Sequence, residues 1–185
     1  NDHLFDIDPD TDDTRAEIAP EDQEAAAMPG FLQDFFRSSV ASCLYLARKC
    51  RFDIAVAVAY LATRTGKASY KDLLKLQRLI SYLKYTADQA LVIAPQGLFV
   101  EAFVDASYAT HTKCRSHTGC AIAIGGAFVH CRSVKQKVNT KSSCESEIVA
   151  MSDSSGMILW INQFLEELGF TDFPPLQIWE DNESS

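Results

Sequence analysis

Three carboxylates stand at positions where acids can do chemistry. Asp105 closes a Phe/Val-rich run, Leu98 to Asp105 (LFVEAFVD), and Asp181 closes a second extended run, Leu176 to Asp181 (LQIWED). Glu147 lies in the first turns of the long helical stretch between them. Two strands that each finish in a carboxylate, joined by a helical crossover, bring their ends to one edge of a sheet, where open α/β sheets bind ligands. On the helix, Met151, Ser154, Ile158, Ile161, Leu165 and Leu168 recur at threes and fours, and Glu147 begins the same stripe. A carboxylate on a burying stripe needs a partner, because an unpaired buried charge is costly. A divalent metal would serve: Mg²⁺ takes a few carboxylates with water and substrate phosphate. Two such ions can activate a water and stabilise the leaving oxygen of a phosphodiester. The plainer account is that strand-end Asp residues form turns and that a helix acid forms an ion pair. Spacing alone leaves both open.

Other polar residues divide in the same way. Glu145, two residues before Glu147, points to roughly the opposite side of the helix. Ser142 to Glu145 fits the S-x-x-E capping box, so Glu145 is assigned to the cap and Glu147 to the chemistry. Lys113, Arg115 and His117, then Arg132, Lys135, Lys137 and Lys141, form basic stretches that suit a phosphate backbone, or are ordinary solvated side chains. Ser107 and Asn182 adjoin the acids and either orient substrate or form turns. His111, His117 and His130 show no triad arrangement, and packing or surface roles are expected. Trp160 and Trp179 read as core or interface anchors.

The elements that must position these residues follow from periodicity. Helices are expected over Phe31–Lys49 (apolar positions Phe35, Val40, Leu44, Leu46), over Asp53–Thr65 with Asp53 at its start, and over Ser69–Thr86. After Asp88 the pattern becomes extended: a short apolar run at Ala90–Ala94, then strands at Leu98–Asp105, Thr118–Ile124 and Ala127–Val134. Gly125-Gly126 makes the hairpin turn. A long helix from about Ser143 to Leu168 ends at Gly169, and Leu176–Asp181 is the last strand. The order predicts an α/β core with a mixed sheet after a small helical annex. Expected divisions are an acidic mobile segment (1–30), a helical part (31–88) and the sheet domain (89–185).

The net charge of −8 would argue against a nucleic-acid partner if it were spread evenly. It is not: residues 1–26 hold ten acids and one base, Arg15, and the remainder carries a net +1. At 47% hydrophobic the chain can bury a core. No apolar run approaches the roughly 18–20 residues of a membrane span, and no signal-peptide pattern opens the sequence. The six cysteines lack metal-site spacing and read as reduced packing residues of an intracellular protein. Asn1 at one end and Asp181-Asn182-Glu183-Ser184-Ser185 at the other look cut from something longer.

Taken in order, the motifs resemble the ribonuclease H end of copia-type (pseudovirus) LTR retrotransposon polyproteins. They are Asp105-Ala106-Ser107, then SVKQKVNTKSSCESEIVAMSDS, then WEDNES. Upstream, FFRSSVASCLYLARKCRFDIAVAVAYLAT and LKLQRLISYLKYT are similar to the C-terminal part of that family's reverse transcriptase. The resemblance covers roughly residues 35–185. It implies a ribonuclease H-like mixed sheet, and Asp105, Glu147 and Asp181 as three of four carboxylates holding two Mg²⁺ (or Mn²⁺) ions. The implied reaction cleaves the RNA strand of an RNA–DNA hybrid and leaves a 3′-hydroxyl. Ser107, Lys135, Gln136 and Asn182 would then touch nucleic acid. The implied partners are the hybrid and the upstream reverse transcriptase domains, without a membrane, in cytoplasmic particles or the nucleus. Phe52 and Glu180 depart from the family's usual Pro and Cys. The fourth carboxylate is expected beyond Ser185, and the polymerase's Y-x-D-D is absent from these residues. A non-catalytic module that binds hybrid or supports the polymerase is the alternative. A nuclease of the same fold acting on DNA is a third reading.

Overall fold

The computed structural model describes residues 28–111 and 114–180. The expectations for the acidic segment 1–26, Lys113, Asp181 and Asn182 lie outside the described residues. The described residues divide into two compact units: one takes in those from Met28 to Tyr45 together with Tyr60–Gln89, the other Leu46–Ala59 with the described residues from Ala90 to Glu180.

Helix α1 (Gly30–Lys49) buries Phe36, Val40, Cys43 and Ala47. These recur at four, three and four, so the buried face uses two small side chains in place of the larger Phe35 and Leu46, which are exposed. A single 3-10 turn (Phe52–Ile54) leads into α2 (Ala55–Ala62). Asp53, expected at a helix start, sits within this 3-10 turn. It takes the fork of Arg51, with Nε donating to Oδ1 at 3.0 Å and Nη2 to Oδ2 at 2.8 Å. Helix α3 (Tyr70–Tyr85) opens with a full capping box. The Asp72 N–H donates to Ser69 Oγ (3.3 Å) and the Ser69 N–H to Asp72 Oδ2 (3.0 Å). Asp72 is buried and also receives Arg64 Nε at 3.3 Å.

The second unit holds a four-stranded mixed sheet in the order β3-β2-β1-β4, formed by β1 (Val100–His111), β2 (Arg115–Ile124), β3 (Ala127–Lys135) and β4 (Gln177–Trp179). β1–β2 and β2–β3 are antiparallel. β4 runs parallel to β1, reached through helix α4 (Ser143–Glu167). Val100, Ala102 and Val104, with Cys120 and Ile122, form a core with Ala150, Ile158, Ile161 and Leu165 of α4. The Gly125-Gly126 hairpin has φ of +59° and +80°. Gly125 is also required by space, since a Cβ there would run into the Gly97 carbonyl. Gly169 (φ +92°) closes α4, its N–H donating to the Glu166 carbonyl at 2.9 Å.

The short apolar run Ala90–Ala94 lies outside any strand, with Val92 74% exposed, and one expectation changes. β1 does not end at Asp105: pairing continues through Ala106↔Thr118 and Ser107↔His117, then resumes beyond a bulge at His111↔Arg115. Asp105 therefore lies in mid-strand. Among the described residues no helix is long and apolar enough to cross a membrane.

Candidate functional site

Side chains alternate across a strand, so the burial of Val100, Ala102 and Val104 under α4 sends Glu101, Phe103, Asp105 and Ser107 to the other face of the sheet. Register carries that face across three strands. Asp105 is paired with Gly119 and Gly119 with Ser133; Ser107 is paired with His117 and His117 with Lys135. The faces are confirmed from the opposite side, where Arg132, paired with Cys120, donates from Nη1 to the Asp153 carbonyl of α4 at 3.0 Å. Asp105, Ser107 and Lys135 thus share one open face, with the first two exposed.

Glu147 is on the α4 side of the sheet. It is 4% exposed and starts the buried stripe Ala150, Ser154, Ile158, Ile161, Leu165. Asp105 thus leaves β1 on the face turned away from α4, at a level where β4, paired only through Phe103, no longer flanks it. Among the described residues no group of three His, Cys, Asp or Glu is placed to hold a metal ion. The donors present are nonetheless hard carboxylate oxygens from separate elements, the kind that Mg²⁺ or Mn²⁺ takes.

What sets the position of Glu147 is a buried polar network that the sequence reading missed. Gln136, expected to touch nucleic acid, is 1% exposed and is corrected to an internal tie. Its Nε2 donates to Thr118 Oγ1 (3.1 Å) and to the Ser146 carbonyl (2.9 Å), and its backbone N–H to the Ser116 carbonyl (2.9 Å). Ser116 Oγ lies 2.8 Å from Thr140 Oγ1 and accepts the Ala109 N–H at 3.1 Å. Tyr108 Oη donates to the Lys141 carbonyl at 3.1 Å. These bonds fasten the far ends of β1 and β2 to the segment leading into α4. The first turn of α4 is then capped: Ser142 Oγ accepts the Glu145 N–H (3.1 Å). The Glu145 carboxylate reaches back to the Lys141 N–H at 2.6 Å, one residue earlier than a capping box would place it. Glu145 is a cap, as its spacing predicts.

A second unforeseen feature is a chain of imidazoles. His111 Nε2 lies 2.8 Å from His117 Nδ1, and His117 Nε2 lies 2.6 Å from Ser133 Oγ. Burial holds both rings below the usual histidine pKa, with Lys135 adding to the effect on His111, and His111 to that on His117. Six residues separate these histidines in the chain, and no local spacing joins them. The β1–β2 register, with its bulge, does.

The fold and site define an α/β domain with a mixed sheet whose open face sets an acid beside a basic row. No protein-family profile matches the chain, and no solved structure matches it. Curated sequences do. The retrovirus-related Pol polyprotein from transposon TNT 1-94 of Nicotiana tabacum is 26% identical over 135 residues, covering 72% of this chain and 10% of that protein. The Pol polyprotein from transposon RE1 of Arabidopsis thaliana is 30% identical over 149 residues, covering 80% of this chain and 10% of that protein. Secreted RxLR effector protein 161 of Plasmopara viticola is 28% identical over 128 residues, 68% of this chain and 90% of that protein. The chain belongs to the copia-type retrotransposon Pol polyproteins. It spans about a tenth of the length of the Pol polyproteins named.

Proposed function

We propose that residues 89–185 form the ribonuclease H segment of the polyprotein, hydrolysing the RNA strand of an RNA–DNA hybrid, and that residues 31–88 end its reverse transcriptase. The observation that carries this reading is the parallel pairing of β4 with β1 through the α4 crossover, Glu101↔Gln177, Ala102↔Ile178 and Phe103↔Trp179. Open sheets with a parallel crossover of this kind bind ligands outside the carboxyl ends of the parallel strands. Asp105, Glu147 and Asp181 would hold two Mg²⁺ or Mn²⁺ ions, which when bound activate water and stabilise the leaving oxygen. Ser107 and Lys135 hold the strand by its phosphates, and Asn182 orients it. Water oxygen joins phosphorus, the P–O3′ bond breaks, and the RNA keeps a 3′-hydroxyl at the cut.

The second reading is a non-catalytic module that binds hybrid or supports the polymerase. It is favoured by the absence, among the described residues, of any group of three His, Cys, Asp or Glu placed to hold a metal ion. A hybrid labelled separately on each strand, incubated with the chain and Mg²⁺, separates the readings. RNA-strand cleavage supports the nuclease, cleavage of DNA alone moves it to a different substrate, and binding without cleavage selects the module.

A further inference from the structure

The open face holds more than an acid and a lysine. Ser107, His117 and Lys135 form one cross-strand row over β1, β2 and β3, and His111 is bonded to the middle member. The next row is Asp105, Gly119 and Ser133. Gly119 places no side chain between the acid and the basic row, and a Cβ added there would meet nothing nearer than the Asp105 carbonyl oxygen at 3.7 Å. Lys135 and Ser107 supply donors and no fixed negative charge, which suits a phosphodiester oxygen.

The histidine pair adds something a lysine cannot. In the bond between His111 Nε2 and His117 Nδ1 one nitrogen donates and the other accepts. The pair can thus be neutral or take up one proton with the bond intact, whereas two protons leave two donors facing each other. We propose that Ser107, Lys135 and the bonded pair His111–His117 form a proton-linked seat for a phosphodiester of a nucleic-acid strand lying on the open face beside Asp105. The proposal rests on the reading that this face receives nucleic acid, but not on its being cleaved.

The sign follows from the groups that face the pair. Burial opposes a proton on the pair, Lys135 on β3 adds to this at His111 and His111 adds to it at His117, while Arg115 on β2 and Asp105 on β1 are the other charged groups of that face. The net direction for both rings is downward from the usual histidine value. A phosphate drawn against the row reverses that balance, so binding takes up a proton. Affinity then rises as pH falls from about 7.5 to 5.5, by at most about tenfold per pH unit for one proton.

The experiment is fluorescence anisotropy of a labelled RNA–DNA hybrid with the full 185-residue chain, in EDTA so that no metal-dependent cleavage intervenes. Expected is an affinity gain of roughly fivefold or more between pH 7.5 and 5.5, flattened in His111→Gln. Lys135→Ala should weaken binding at both pH values and reduce the salt slope by about one, as for one lost phosphate contact. Circular dichroism melts at both pH values accompany each variant, and Lys135→Ala tests the row even where a histidine variant fails to fold. An unchanged pH response in His111→Gln, an unchanged salt slope in Lys135→Ala, or no hybrid binding at all overturns the seat. Proton-linked binding without cleavage in Mg²⁺ would sink the nuclease reading and leave the seat standing. Cleavage with pH-independent binding would do the reverse.

Discussion

Replacing Gln136 with methionine keeps the length of the side chain and removes its amide. Two hydrogen bonds from Nε2 are lost, those to Thr118 Oγ1 and to the Ser146 carbonyl. Neutral bonds of this kind contribute about 1 kcal/mol each, and a buried acceptor left without its donor costs about 1–3 kcal/mol. Two offsets reduce the total. The Ser146 carbonyl retains its place in the α4 ladder, and Gln136 Oε1, buried without a hydrogen-bond partner, is removed with the amide. The expected net loss is about 2 kcal/mol, a fall in melting temperature of roughly 4–8 °C for a chain of this size. Urea unfolding followed by circular dichroism reads it as a shifted midpoint at constant slope. Faster amide hydrogen exchange in the first turn of α4 should accompany the loss, because the amide ties that turn to β2. Hybrid affinity per folded molecule should stay as in the parent. A variant of undiminished stability that binds hybrid several-fold more weakly would refute the argument and return Gln136 to the nucleic-acid surface.

Glu145→Ala should lose about 1 kcal/mol or less, as for a helix cap, with any cleavage activity retained, whereas Glu147→Gln should abolish activity; the opposite pattern in paired melts and assays would reverse the two roles. Asp72→Asn should remove part of the pH dependence of stability. Burial raises the Asp72 carboxyl pKa, but the bonds from Ser69 and the charge of Arg64 outweigh this and hold it below the usual 3.8. A depressed carboxylate stabilises the fold above its unfolded pKa and loses that contribution as pH falls through the folded value. Urea midpoints of parent and variant should therefore converge below about pH 4, and a constant gap down to pH 2 would contradict the assignment.

The legible parts of this fold are those where local chemistry and tertiary structure agree. Ser69 capping α3, Gly125-Gly126 turning the hairpin and Gly169 ending α4 each meet a backbone requirement that few residues can satisfy. Glu147, Ser154, Ile158, Ile161 and Leu165 are buried as their spacing requires, although Met151 is only partly buried beside a fully buried Ala150 and Leu168 is exposed. The parts that were not legible depend on distant partners. β1 and β2 continue through polar residues because Ser116 and Thr118 are satisfied by Thr140 and Gln136, far along the chain. Gln136 lies between Lys135 and Lys137 and reads as surface, yet the end of β3 turns it inward. The histidine chain needs the bulged register that only folding supplies. Of the proposed site, the burial of Glu147 was legible from its helical stripe, whereas Asp105, read as a strand end, lies in mid-strand. That Asp105 leaves the face of β1 turned away from α4 follows from the alternation of Val100, Ala102 and Val104 beneath that helix.

The most direct test of the nuclease account is cleavage of an end-labelled RNA–DNA hybrid in Mg²⁺ by the 185-residue chain and by a longer segment of the polyprotein containing it. The same assay is run on Asp105→Asn and Glu147→Gln in both lengths. The account predicts RNA-strand cuts bearing 3′-hydroxyls, lost in each variant. Hybrid bound equally with and without Mg²⁺ and left intact by both lengths would contradict it.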